Sequence, residues 1–430
     1  MIDCLRICGG IPLIGDVTLN GSKNGALPIL AATLLVDDEV ILTNVPQISD
    51  IEKLLLLLEG QGATVTRQHD TVHINARRLT RTDIDRDLAA AMRGSFYLLG
   101  PLLARHRHAK IPLPGGCAIG NRPVDYVIKA LEGLGVRTEE RTDEIICSAP
   151  DGLHGNTITL DPVFRSPGAT FNVAMTASLA EGRTIIENAS ADPEVEDFCR
   201  FLQAAGVTIS GAGSTRLVID GQPRLHSCAH TIISDRIEAG TFLIAAAATR
   251  GNVRVSPLKP AYLDSLLEKL EEMGVTVLRE RDAITVRGDV RPRAGTVYTT
   301  PYPGFPTDLQ PPMVVLMCLA EGRSMMNETI YDGRLTYVHE LRRMGAQVKL
   351  ATRQHAVIDG VASLRGRRVE GADMRAGAAL VVAALAATGE STIAGRHYIV
   401  RGYECLEDKL RQLGAHVLPV DAPDDQCDRL

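Results

Sequence analysis

Six segments of the chain bring a short polar or charged stretch to the start of an apolar run: GSKNGALPI, AMRGSFYLL, FRSPGATFN, DRIEAGTFL, TDLQPPMVV and DMRAGAALV. Five of them place a cation at or just before the start of the run: Lys23, Arg93, Arg165, Arg236 and Arg375. Helix N-termini expose free N–H groups and attract anions, so cations are ordinarily disfavoured there. Repeated cations at such starts point to converging anion sites, with solvated surface arginines as the plain alternative. The fifth segment carries Asp308 instead. A carboxylate among cations stays ionised, which suits a base or a hydroxyl-orienting group; a simple helix N-cap is the plain alternative. A second chemistry sits in IPLPGGCAIGNRPVD, where three prolines and three glycines enforce a loop. It holds Cys117, with Arg122 five residues on. A thiol in an exposed loop near a cation is the reactive kind, able to act as nucleophile or proton donor. Two polar stretches complete the set. Arg401 follows a strand-like HYIV and precedes GYE, and TIYDGRL places Ile330 and Arg334 in a connecting position.

What positions these residues is a repeat. LLEGQGATV, LEGLGVRT, LQAAGVTI, LEEMGVTV, LRRMGAQV and LRQLGAHV recur, with glycines at Gly62, Gly135, Gly206, Gly274, Gly345 and Gly414, 68 to 73 residues apart. A glycine just past the last helical turn supplies a left-handed C-terminal cap. The alternating stretches that follow, such as TVHINA and AITVRG, read as strands. Preceding each is an apolar helix carrying Ala and Leu around most of its circumference, the pattern of a helix buried on all sides. The longest such run, near Gly377–Thr388, falls short of the roughly 18–20 residues needed to cross a bilayer. The chain is therefore α/β, built from six copies of a unit with one buried and one amphipathic helix. A closed ring of six and two domains of three both satisfy this pattern.

Composition narrows the function. The chain has 430 residues, no Trp, 4% aromatics and a formal net charge of −6. Base-stacking surfaces and broad attraction to nucleic acid or anionic membrane are disfavoured, while a small anionic substrate is not. The nine cysteines are scattered without a CxxC, which fits reduced cytoplasmic thiols better than disulfides or a zinc site. No basic-then-apolar signal segment is visible at the N-terminus.

The ordered motifs GSKNGALPIL, LPGGCAIGNRPVD, SDRIEAGTF, FPTDLQ, DMRAGAAL and RGYE resemble those of the UDP-N-acetylglucosamine 1-carboxyvinyltransferases, the enolpyruvyl transferases of peptidoglycan synthesis. More distantly the chain is similar to the 5-enolpyruvylshikimate-3-phosphate synthases, which lack the cysteine loop. The resemblance spans nearly the whole chain. It implies two inside-out α/β barrel domains of three repeats each, residues 22–231 forming one and residues 1–21 with 232–430 the other, with the active site in the interdomain cleft. The implied reaction is addition of the sugar 3′-hydroxyl to C2 of phosphoenolpyruvate, protonation at C3, then loss of phosphate. No cofactor and no metal is implied.

Position by position, the resemblance makes Cys117 the proton donor, the group a phosphonate epoxide such as fosfomycin would alkylate. Lys23, Arg122 and Arg401 match contacts to phosphoenolpyruvate, joined by Asn24 and Arg93. Asn24, Arg93, Arg122, Pro123, Val124, Asp125, Tyr126, Phe164, Arg165, Ser166, Pro167, Asp308 and Ile330 match contacts to the nucleotide sugar. Asp308 would orient or deprotonate the attacking hydroxyl. Asp373 and Arg375 match an acidic–basic pair near the reacting centre, with Arg334 in support.

Several positions depart from the family pattern: Val400, Tyr97, Val127, Asp332-Gly333-Arg334-Leu335, and a segment Asp161–Gly168 longer by two residues. They leave the phosphoenolpyruvate set intact and bear on the acceptor. An alternative acceptor is another uridine nucleotide such as UMP, in specialised nucleoside metabolism. A repeat-built binding clamp without catalysis is a third reading, disfavoured by the single cysteine loop and by Asp308. The expected partners are phosphoenolpyruvate and a uridine nucleotide, without nucleic acid or membrane, and the expected state is a monomer or weak homo-oligomer in the cytoplasm.

Overall fold

A computed structural model describes residues 2–113 and 124–421. Cys117, Arg122 and Pro123 lie outside the described residues. The described residues form two compact units: one holds residues 20–113 and 124–235, and the other joins the residues up to Leu19 with those from Arg236 onward. Each has its own apolar core.

The repeat is visible in the sheets. In the unit from Arg236 onward, Ile14–Thr18 runs parallel to Asn252–Ser256, which pairs antiparallel with Ile284–Arg287, itself antiparallel to Thr276–Arg279. The same order, one parallel then two antiparallel pairings, recurs in the sheet Thr296–Tyr298, Arg323–Asn327, His355–Asp359, Gln347–Leu350. It recurs again in Arg368–Glu370, Glu390–Ala394, Ile2–Cys8, His416–Asp421. Two sheets of the other unit follow this order, while the sheet of His108–Pro112, Glu144–Ser148 and Arg137–Glu140 has three strands. Burial alternates along the strands, as in Glu39–Thr43 and Asn252–Ser256, so each sheet covers the core with one face.

The cores are helical. Arg236–Ala248 and Gln310–Leu319 are buried at every residue, and Met374–Ala386 from Arg375 to Leu385. These three helices pack on one another. Having no polar stripe, they lose least by being enclosed. In the other unit Lys23–Ala32 and Pro167–Ala177 take this place.

The second repeat departs from the expected single helix: Arg93–Leu98 is a 3-10 helix and the α-helix begins at Leu99. Pro101 has no N–H to donate to Tyr97, so an unbroken α-helix through this point would lose a hydrogen bond. Placing Pro101 in the first turn of Leu99–His106 removes that conflict.

All six repeat glycines have φ between 83° and 103°, the left-handed conformation that ends the amphipathic helix cheaply only for glycine. One local expectation fails. HYIV is not a strand: Arg396–Ile399 is a short α-helix. Gly395 at φ 84° turns the chain out of Glu390–Ala394, and the helix that follows is tied down by Arg396 Nε donating to Glu407 (2.6 Å) and by His397 on Asp3 (2.7 Å). Side-chain ties outside the segment override its β-propensity.

Candidate active site

Lys23 opens its helix as the cation pattern suggested. Ser22 caps it, accepting from Gly25 N–H (3.2 Å), and the Lys23 N–H donates to Asp235 (3.0 Å). The Lys23 ammonium does not point to water: Nζ lies 2.7 Å from Asp50, and both side chains are buried. Asp50 comes from the first turn of Ser49–Gly60. Asn24 follows on the same helix, half-buried, and the 3-10 helix opened by Arg93 packs against it.

A second group in this unit surrounds the start of Pro167–Ala177. Ser166 caps that helix, accepting from Ala169 N–H (3.3 Å), with Pro167 in the first turn. Arg165 has φ 38°, and its Nε donates to Pro162 (3.2 Å). The longer segment before it is a turn closed by Asp161, whose Oδ1 accepts from the N–H groups of Val163 and Phe164 (2.8 Å each). That turn delivers Phe164 to Tyr126, the two rings stacking at 5.9 Å with an 18° tilt. Tyr126 is exposed, on the helix Asp125–Glu132 that begins after Val124. Of the divergent positions, Val127 is buried in the core, and Tyr97 packs edge-on against Phe171 (5.6 Å).

In the other unit a tighter constellation forms. Asp308 lies in the 3-10 turn Thr307–Leu309 that leads into Gln310–Leu319. Its Oδ1 accepts from Arg334 Nη2 (2.8 Å) and its Oδ2 from Arg375 Nη2 (2.9 Å). Both arginine side chains are 3% exposed and Asp308 is 25% exposed. One carboxylate thus bridges two buried guanidiniums while remaining partly exposed. Gln310–Leu319 has no side-chain cap, whereas the next buried helix, Met374–Ala386, is capped by Asp373, whose Oδ1 accepts from the N–H groups of Arg375 (2.8 Å) and Ala376 (3.0 Å). Burial opposes the charge on Arg334, but Asp308, Tyr331 and Glu328 outweigh it and raise its pKa.

Aromatic faces hold the arginines in plane. Arg375 lies over Tyr403 (5.4 Å), Arg334 over Tyr331 (5.5 Å) and Arg236 over Tyr302 (5.5 Å). Each contact favours the charged guanidinium without using its N–H groups. The Tyr403 hydroxyl in turn meets Thr241 (3.0 Å) on the helix Arg236–Ala248. Glycine allows the close approaches involved: a Cβ at Gly240 would stand 2.4 Å from Leu309, next to Asp308, and one at Gly377 would stand 2.7 Å from Ile399. Arg401 is half-buried, and its N–H donates to Tyr398 (3.3 Å) in the turn after that short helix.

Residues 7–410 match the sequence model of the family described as EPSP synthase (3-phosphoshikimate 1-carboxyvinyltransferase). The chain belongs to the enolpyruvyl transferase family. A relative from Clostridium botulinum named UDP-N-acetylglucosamine 1-carboxyvinyltransferase is 42% identical, over 96% of this chain and 99% of its own length. A relative from Symbiobacterium thermophilum, named UDP-N-acetylglucosamine 1-carboxyvinyltransferase 1, is 45% identical over 96% of this chain and 94% of its own. Among solved structures, the enolpyruvyl transferase NikO from Streptomyces tendae aligns with a TM-score of 0.87 at 26% identity, covering 98% of this chain and 99% of that one. An EPSP synthase from Acinetobacter baumannii shares the fold, with a TM-score of 0.73 at 18% identity.

For this enolpyruvyl transferase family member, several residues around the expected set were not singled out from sequence: Asp50, Asp235, Thr307, Glu328 and Tyr403. Glu328 carried the clearest signal. It places a charge directly after the strand Arg323–Asn327, and it is 1% exposed. Asp50 is one of two acids in a helix first turn, and only the packing of two helices shows its partner. Among the described thiols, burial pushes Cys147 and Cys228 to about 11 and Cys199 and Cys318 to about 12, so none of these four is poised as a nucleophile.

Proposed function

We propose that this chain transfers the enolpyruvyl group of phosphoenolpyruvate to the 3′-hydroxyl of UDP-N-acetylglucosamine, releasing phosphate, as the committed step into peptidoglycan. The observation that carries this reading is the 42–45% identity to the two UDP-N-acetylglucosamine 1-carboxyvinyltransferases, over 96% of this chain. The Asp308 geometry supplies its chemical support.

The hydroxyl oxygen bonds to C2 while a proton is delivered to C3, giving a tetrahedral ketal. A proton then leaves C3 as the C2–O bond to phosphate breaks, and the enol ether forms. Asp308, ionised between Arg334 and Arg375, accepts a hydrogen bond from the acceptor hydroxyl and takes its proton as the C–O bond forms. The two guanidiniums fix the direction of the carboxylate, and held geometry is what such a step requires. Lys23, Arg122 and Arg401 neutralise the phosphate and carboxylate of phosphoenolpyruvate, with Asn24 and Arg93 beside them. Cys117 donates the proton to C3. Val124, Asp125, Tyr126, Phe164, Arg165, Ser166, Pro167 and Ile330 hold the nucleotide sugar, and Asp373 orients Arg375 through the helix start. In this reading each unit is an inside-out barrel of three repeats, its helices within and its sheets without.

Phosphate release measured with phosphoenolpyruvate and either UDP-N-acetylglucosamine or UMP tests the proposal. Turnover with the sugar nucleotide is expected. Its absence would overturn the reading, and turnover with UMP alone would transfer it to the other acceptor.

A further inference from the structure

Near Asp308 stands a buried carboxylate bonded both to the turn of Asp308 and to the connection that carries Arg334. Glu328 Oε1 accepts from the Thr299 hydroxyl (2.9 Å) and from the N–H groups of Ile330 (2.8 Å) and Tyr331 (3.1 Å). Its Oε2 accepts from the Thr307 hydroxyl (2.8 Å). Thr307 Oγ1 in turn accepts from Arg334 Nη1 (3.1 Å), whose Nη2 donates to Asp308.

The direction of this chain follows from the donor inventory. A hydroxyl has one proton and two lone pairs. A carboxylate offers only acceptors, so the Thr307 proton is committed to Glu328 and its lone pairs face Arg334. The guanidinium is rigid. Fixing Nη1 on Thr307 therefore fixes where Nη2 stands, and Nη2 holds Asp308. The same carboxylate pins the Ile330–Tyr331 amides at the start of the connection that carries Arg334, and Tyr331 supplies the ring under that arginine. A glutamine at this position would turn an NH2 toward Thr307 or toward three donors, reversing or breaking the order.

We infer that Glu328 and Thr307 are positioning residues that act through Arg334 to aim Asp308. This rests on the proposed role of Asp308 toward the acceptor hydroxyl. Acting through Arg334 and not on substrate, they are expected to affect the chemical step rather than phosphoenolpyruvate affinity.

Thr307→Val keeps the shape and removes the relay, Thr307→Ser keeps the hydroxyl, and Glu328→Gln keeps the size. Steady-state phosphate release on these variants and on Asp308→Asn, alongside melting temperatures, decides the matter. Thr307→Val is expected to lower kcat about tenfold or more, the effect of one charge-assisted hydrogen bond, with KM for phosphoenolpyruvate within about twofold. Glu328→Gln follows in the same direction, and Thr307→Ser recovers most of the loss. If Thr307→Val keeps kcat within about twofold while Asp308→Asn is crippled, the inference is overturned and the role of Asp308 survives. The same holds if the loss only tracks the folded fraction, or if Thr307→Ser does not rescue it. If Asp308→Asn is itself fully active, or the unmodified protein releases no phosphate with either acceptor, the functional reading falls and takes the inference with it. Should Glu328→Gln fail to fold, the threonine pair alone decides.

Discussion

Asp308 and Arg375 are 67 residues apart in sequence and 2.9 Å apart in space, joined by a hydrogen bond between Oδ2 and Nη2. They occupy corresponding starts of the buried helices in successive repeats. An acid in one repeat thus meets the cation of the next, and Arg334 closes the other side of the carboxylate at 2.8 Å.

Asp308→Asn removes the carboxylate that joins two nearly inaccessible guanidiniums. Removing one partner of a buried ion pair costs roughly 3–5 kcal/mol, and less here because Asp308 keeps some exposure and Glu328 still favours the charge on Arg334. We expect a loss of about 2–3 kcal/mol in unfolding free energy on that scale. We also expect phosphate release to slow at least about a hundredfold, as for loss of a general base. Urea denaturation and the phosphate assay check the two effects separately.

Lys23 and Asp50 provide a test that separates structure from chemistry. Lys23→Met removes the cation buried against Asp50 and should cost about 3 kcal/mol. Adding Asp50→Leu removes the buried negative charge as well and should recover part of that stability, while activity stays lost in both variants. A double variant no more stable than the single one would contradict the role assigned to the pair.

His106 predicts an acid limb in stability. It ends the helix Leu99–His106, where the dipole favours a protonated ring, but burial, with Arg105 next to it in effect, pulls its pKa below 6.5. The unfolded chain therefore takes up the proton first as pH falls. Its contribution is complete above pH 6.5 and is lost as the pH drops from there through the lower folded value. The denaturation midpoint of His106→Asn should vary less over that window than that of the unmodified protein.

Thiol labelling should sort the cysteines by environment. At neutral pH an alkylating agent should spare Cys147, Cys199, Cys228 and Cys318, whose thiols burial holds at about 11 to 12. It should reach the exposed Cys8 and Cys405. Cys405 reacts more slowly than an unperturbed thiol, because burial together with Glu404 and Asp408 raises its pKa. A phosphonate epoxide should instead add at Cys117 and leave no adduct in Cys117→Ser. Peptide mapping by mass spectrometry reads both patterns; an adduct that persists in Cys117→Ser contradicts the proton-donor assignment.

Much of the fold was legible because it repeats a local code. A glycine past an amphipathic helix needs only left-handed φ, and a helix without a polar stripe needs only enclosure, so Gly62 to Gly414 and the Ala-rich helices could be read without neighbours. The 3-10 start at Arg93 and the helix Arg396–Ile399 were less legible. One depends on where Pro101 falls within a turn, and the other on Asp3 and Glu407, far from it in the chain.

The sequence by itself determined the six-fold repetition, the apolar helix in each copy, and the set of cations at the helix starts, with Asp308 in place of the cation in one of them. These follow from periodicity and from which side chains tolerate a helix terminus. Tertiary structure alone decided which charges face one another: Lys23 with Asp50, Asp308 with Arg334 and Arg375, and Glu328 reaching them through Thr307. A charged side chain in a sequence has a sign but no direction. Its partner is set by packing distances of a few ångströms, in a medium dry enough that only groups in contact can satisfy it.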